Sequence, residues 1–149
     1  MFNLQLGVGI GVYNVNTTGL FGAELGFAVT PDRRGYLILP FQVQFSSGTT
    51  VIIVPLGFEY DVPITIGSIK NLYLTPRLAV GYASLQVTGV DTLNGGYLAI
   101  EGGAKYVFRG RWNFGFDPVS LAVLFFGDNF QHVAAAVSYR LYVYVGLNF

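Results

Sequence analysis

At 149 residues the chain has the length of a single domain, but 52% hydrophobic and 11% charged residues do not suit water, in which an ordinary domain carries about 25% charged residues. Eight basic and eight acidic residues give a formal net charge of zero, which excludes the basic surface of a nucleic-acid binder; so apolar a composition also excludes a disordered chain. There is no cysteine, so thiol catalysis, disulfide staples and cysteine-based zinc sites are excluded.

A helical membrane span needs about 20 consecutive, predominantly apolar residues, and every apolar run here is interrupted by Gln, Glu, Arg or Pro. The apolar residues recur instead at every second position, the period of a strand with one greasy face. In the first strand Leu4, Leu6, Val8, Ile10 and Val12 alternate with Gln5, Gly7, Gly9, Gly11 and Tyr13. After a turn at 16–19, the second sets Phe21, Ala23, Leu25, Phe27 and Val29 against Gly22, Glu24, Gly26 and Ala28. The third follows a turn at 31–35 and carries Leu37, Leu39, Phe41, Val43 and Phe45, with Gln42 and Gln44 opposite. The fourth follows a turn at 46–49 and sets Ile52, Val54, Leu56, Phe58 and Tyr60 against Ile53, Pro55, Gly57, Glu59 and Asp61.

A longer connection through Pro63 and Gly67 leads to the fifth strand, 72–83, broken only by Pro76 and carrying Arg77, Ala79 and Gly81 on its second face. In the sixth, Leu98, Ile100, Ala104, Tyr106 and Phe108 share a face, and Tyr97, Glu101, Gly103 and Lys105 take the other. The seventh opens on Trp112, Phe114 and Phe116, then changes phase to Val119, Leu121, Val123 and Phe125. A bulge at Asp117-Pro118 accounts for the change, since one extra residue reverses parity and proline has no N–H for the ladder. After a turn at 127–129 the eighth strand carries Val133, Ala135, Val137, Tyr139, Leu141, Val143, Val145, Leu147 and Phe149 on one face.

Strands of this length suit a bilayer, which a tilted strand crosses in about 9–11 residues. Backbone groups facing hydrocarbon must pair inside the protein, and a sheet meets that demand only by closing. The expected fold is therefore all-β, an eight-stranded antiparallel up-and-down transmembrane β-barrel, with residues 1–149 as one domain. The second face is too poor in charge to be a wetted exterior, so the apolar set points outward and the Gly/Ala-rich set inward. Tyr60, Tyr106, Phe108, Trp112 and Phe149 would form an aromatic girdle at the terminus-bearing end, and Phe21, Phe45, Tyr82 and Phe125 one at the other. An eight-stranded interior is just wide enough for side chains to fill.

The segment 139–149 ends in Phe149, with Leu141, Val143, Val145 and Leu147 at every second position before it. It resembles the C-terminal assembly signal of bacterial outer-membrane barrels, and the whole chain is similar to their small OmpA/OmpX/OmpW-type group. The resemblance implies insertion by the barrel-assembly machinery, a bacterial outer-membrane location with periplasmic termini, and surroundings of outer-membrane lipid and lipopolysaccharide. Function varies widely within the group. Two features depart from it. Met1 runs straight into the first strand without a secretory leader, so the chain reads as a mature form restarted at Met. The expected outer connections, 14–19, 46–50, 84–96 and 126–131, are short, which removes support for adhesion or receptor duty.

Glu24, Arg77, Glu101 and Arg140 fall on the inward face near mid-barrel, and Glu59 and Lys105 nearer the terminus-bearing rim. Their charges cancel, and buried charges need partners, so the expectation is a salt-bridge network filling the lumen. A proton or ion relay is the functional alternative. His132 is the only imidazole. Outer-membrane esterase barrels resemble one another in a His followed two positions on by Ser; Ala134 stands there, and Ser138 is too far along the chain to use His132 as its base. Gly7, Gly9 and Gly11 lie in a strand with no helix after them, so they are no phosphate loop. Arg33, Arg34, Lys70, Arg109 and Arg111 gather in three turns at one end, against Asp32 and Asp61, where they would be solvated or touch lipid phosphate or a periplasmic polymer. The expected function is non-enzymatic and without cofactor or metal: a structural envelope barrel or a narrow passage for small solutes. The alternatives are an OmpW-like route for small hydrophobic molecules, bordered by the Gly/Ala wall of the first, second and eighth strands, and a lipid A-modifying enzyme.

Overall fold

The computed structural model describes residues 1–13, 16–89, 91–126 and 134–149. The period-two pattern becomes ten strand segments: β1 (Phe2–Tyr13), β2 (Asn16–Ala28), β3 (Gly35–Ser46), β4 (Thr49–Tyr60), β5 (Val62–Ile66), β6 (Ile69–Leu74), β7 (Arg77–Val87), β8 (Leu93–Phe108), β9 (Trp112–Phe126) and β10 (Ala134–Asn148). Neighbours are antiparallel, and the pairings β8 with β9 and β10 with β1 close the sheet on itself. The barrel has eight staves, because β4 runs on into β5 and β6 into β7. The register that pairs Glu59 with Arg77 continues unshifted to pair Val62 with Leu74. Asp61 and Pro76 merely interrupt the ladder there; Pro76 has no N–H to give, but its carbonyl still accepts from the Tyr60 N–H at 3.1 Å.

Closure is staggered. A path across paired residues from Asn3 through Gly26, Ile38, Gly57, Ala79, Ala99, Ala122 and Ser138 returns to β1 at Tyr13, ten residues beyond the start. A stagger of this kind tilts the strands by roughly 40° to the barrel axis. The last pairing at the seam is made by the chain ends: Phe2 and Phe149 exchange backbone hydrogen bonds at 3.1 and 2.7 Å, and their rings stack with centroids 5.2 Å apart.

The strands run further than alternation alone indicates. The expected connection through Pro63 and Gly67 is the paired hairpin β5–β6, the expected turn at 16–19 is the start of β2, and β7 and β8 take up most of the expected loop at 84–96. Residues such as Thr17, Thr18, Asn94 and Gly95 give no hydrophobic alternation, yet their backbones gain ladder hydrogen bonds by staying in register. The expected turn at 127–129, the outer connection at 126–131 beyond Phe126, His132 and Val133 lie outside the described residues.

The apolar set faces outward. Val80 is 59% and Ile100 64% exposed, while the alternating Ala79 and Ala99 are 2% and 1% exposed. Leu6, Val8, Phe21, Leu39, Phe41, Leu56, Leu78, Phe114 and Val143 continue that exterior, and both expected girdles lie on it, Tyr60 half-buried. A wall greasy all round and enclosing charged residues inverts the order of a water-soluble domain, and it far exceeds the few hundred Å² of apolar patch that a soluble monomer exposes.

The bulge forms in β9 where expected, with register shifts against both neighbours. Because it reverses parity, it turns both Asp117 and Ser120 inward, and the Tyr139 hydroxyl donates to the Pro118 carbonyl beside it. Glycines make room for the interior rings. A Cβ on Gly22 would stand 2.7 Å from the Tyr142 hydroxyl, and one on Gly115 would strike the ring of Tyr144. Gly115→Val is therefore expected to destabilise the barrel by about 1–3 kcal/mol through overpacking, read as a lower urea midpoint; an unchanged midpoint would show that Tyr144 has somewhere else to go.

Candidate functional site

The interior has two storeys. Towards the rim opposite the termini it is mainly apolar: Val51, Ile53, Ala79, Ala83, Tyr97, Ala99, Ala122, Leu124 and Phe126 form one buried cluster, with Leu85 and Leu93 against it, and buried Thr18, Gln44 and Ser84 are the polar side chains at that end. Towards the termini it is charged. Cross-strand register builds the charged storey, since Glu59 of β4 pairs with Arg77 of β7, Arg77 with Glu101 of β8, and Glu101 with Ser120 of β9. Side chains of alternating sign thus stand next to each other on adjacent staves, the arrangement in which cross-strand pairs attract.

Arg77 is the hub. Its Nη1 lies 3.3 Å from Glu24, 3.4 Å from Glu101 and 3.7 Å from Asp117, while its Nε donates to Glu59 at 3.1 Å and its Nη2 pairs with the same carboxylate. Lys105 lies below it, with Nζ 2.9 Å from Glu59 and 2.7 Å from Asp61, and over the ring of Tyr36 at 5.1 Å. Arg140 lies above it. Its guanidinium pairs with Glu101, donates to the Tyr97 hydroxyl and the Gln42 amide oxygen, and reaches Ser120 Oγ at 3.0 Å. Ser120 in turn donates to Glu101 at 3.1 Å. The six residues singled out on the sequence, Glu24, Glu59, Arg77, Glu101, Lys105 and Arg140, are all at most 8% exposed and belong to this one network.

Two further acids join them, and they change the sum. On the sequence Asp61 reads as one of the turn charges and Asp117 only as a bulge residue; both are buried in the network. Parity carries the signal in each case, since Asp61 is in phase with Glu59, and Asp117 with Asn113 and Gly115. The cancellation expected of the six residues does not extend to the whole network they belong to. Five carboxylates, Glu24, Glu59, Asp61, Glu101 and Asp117, face three cations, Arg77, Lys105 and Arg140. Glu24 Oε1 and Asp117 Oδ1 are buried without a hydrogen-bond partner.

Between the storeys a cavity of only about 10 Å³, lined by Leu20, Gln42, Glu101, Asp117, Ser120, Arg140 and Tyr142, is room for about one water molecule. On the Gly/Ala wall expected to border a sideways cavity, Gly7 and Gly22 face Tyr142, and an apolar groove of about 370 Å³ is lined by Leu6, Gly7, Val8, Phe21, Val143, Tyr144 and Val145. Of the terminal segment, Val143, Val145 and Phe149 are exposed on the outer wall, with Leu141 and Leu147 half-buried beside them. His132 lies outside the described residues, and no cluster of metal-ligating side chains occurs among the described ones.

No family model matches the sequence, and no curated protein matches it. Solved structures do. Neisserial surface protein A superposes with a TM-score of 0.71 at 14% identity, covering 99% of this chain and 97% of that one. The N-terminal β-barrel domain of Pseudomonas aeruginosa OprF gives 0.61 at 16% identity, again over 99% and 97%. The outer membrane enzyme PagL gives 0.52 at 14% identity, over 94% and 97%. The fold is that of the small eight-stranded outer-membrane barrels. At these identities the likeness is one of architecture, and an architecture shared with an enzyme carries no activity with it.

Proposed function

We propose that the chain is an integral protein of the bacterial outer membrane, its termini on the periplasmic side, acting as a non-enzymatic structural barrel with a closed lumen. The observation that carries this reading is the filling of the interior by two unlike storeys. Ions crossing the charged storey would have to displace Arg77 from four carboxylates, and water crossing the apolar one would have to wet Ile53, Leu124 and Phe126. On the interior side of the glycine wall of β1 and β2, Tyr142 occupies the space that a route for small hydrophobic molecules would use.

Planar-bilayer recording and liposome swelling test the closed lumen directly. The reconstituted barrel is expected to give no ohmic current and no swelling in small sugars. Reproducible conductance steps from the wild-type chain would overturn the structural reading in favour of a narrow passage. An altered lipid A mass on expression of the chain would replace it with an enzymatic one.

A further inference from the structure

All eight Lys and Arg residues of the chain are among the described ones, and they divide unevenly. Arg77, Lys105 and Arg140 are inside. The other five, Arg33, Arg34, Lys70, Arg109 and Arg111, are exposed at the terminus-bearing rim; the opposite rim has no Lys or Arg. The acids near them in sequence are engaged elsewhere. Asp61 turns inward to Lys105. Asp32 accepts from the hydroxyls of Thr30 and Tyr60 at 2.5 and 2.6 Å and from the Arg34 N–H at 3.2 Å, bonds that hold its pKa down at about 2 and tie it to its own turn and to the end of β4. Among the described residues no carboxylate lies within salt-bridge distance of any of the five cations.

Their surroundings are those of a bilayer surface. The turns around Arg33 and Arg111 flank a notch of about 1160 Å³ at the paired ends of β1 and β10, with Met1, Trp112 and Phe149 in its lining. Arg109 lies over the ring of Phe108 at 5.1 Å, and that ring is part of the exposed girdle. Arg33 and Arg109 also occupy left-handed backbone positions, with φ of 58° and 51°, where Gly or Asn is the unstrained choice.

We propose that this rim is a binding site for anionic phospholipid, the headgroup phosphate held between Arg33 and Arg111 and the apolar part lying on Trp112 and Phe149. Guanidinium groups bind phosphate oxygens in a paired geometry, and each cation near a membrane surface adds attraction to anionic lipid. A soluble polyanion would match the arginines and leave the apolar lining without a use. The site rests on the reading that the chain lies in a bilayer.

Trp112 is the only tryptophan and lines the notch, so it reports occupancy. The refolded barrel is placed in phosphatidylcholine bilayers containing, at equal mole fraction, either brominated phosphatidylglycerol or brominated phosphatidylcholine, and Trp112 quenching is compared. The anionic lipid is expected to be preferred on the order of fivefold, the preference falling with ionic strength and disappearing in the Arg33→Gln/Arg111→Gln variant. Equal quenching by the two lipids in the wild-type barrel overturns the site and leaves the membrane reading standing. No quenching by either overturns both. Excess inorganic phosphate at constant ionic strength is expected to leave the preference unchanged; its loss would make this a site for free phosphate and overturn the lipid assignment. Should the double variant fail to fold, a preference independent of salt in the wild type is the result that counts against the site.

Discussion

Replacing Arg77 by methionine is expected to cost the barrel roughly 3–5 kcal/mol, the range for removing one partner from a buried ionic network. The side chain packs as well, but Glu24, Glu59, Glu101 and Asp117 lose the cation they share, and only Lys105 and Arg140 remain as cations among the five carboxyl groups. Urea unfolding in lipid, followed by Trp112 fluorescence, measures the loss. Glu24→Gln should do the opposite or nothing, because it keeps the shape of a carboxyl with an unpartnered oxygen and leaves the three cations with four carboxyl groups instead of five. It should also lessen the cost of Arg77→Met when the two are combined, and the double-mutant cycle isolates that coupling. An Arg77→Met barrel as stable as the wild type would mean that the network is already neutralised some other way, and Arg77 would lose its place as the hub.

Ile100→Lys is expected to cost about 2–4 kcal/mol in a bilayer, the penalty for a lysine on the lipid face near the midplane. Ile100 stands half-way along β8 between Leu78 and Leu121 of the neighbouring staves, and all three are exposed. In water the same substitution would be close to neutral. The comparison of lipid with detergent-free refolding yield therefore decides what covers this wall, and a neutral result in lipid would remove the membrane reading together with everything built on it.

The architecture was legible in the sequence because the signal is binary and redundant. On strand after strand one face is Leu, Val, Ile or Phe and the other Gly, Ala or polar, so a single misread residue could not reverse the assignment of faces. The bulge was legible for the same reason, since a change of parity beside a proline in 112–125 is the mark of one inserted residue. Strand ends were not. Thr17, Thr18 and residues 93–96 carry no alternation, and only pairing partners far along the chain keep them in the sheet.

The charged network was half legible. Inward parity selected Glu24, Glu59, Arg77, Glu101, Lys105 and Arg140, but a parity rule says which way a side chain points and not which others it meets. That Arg77 touches four carboxylates from four different staves follows from the ten-residue stagger of closure, a property of the whole sheet. The apolar storey is similar. Ile53, Leu124 and Phe126 are as hydrophobic as the residues that face outward, and alternation gives no reason why an interior should be greasy on one side of Arg140 and charged on the other.

The sequence by itself determined the strand count, the two faces and the exterior, because those depend on neighbours one or two residues apart. The tertiary structure alone decided how charge is summed inside, how the lumen is divided and which cations lie around the notch at the rim, because each brings together residues from strands far apart along the chain, at heights fixed only when the last stave meets the first.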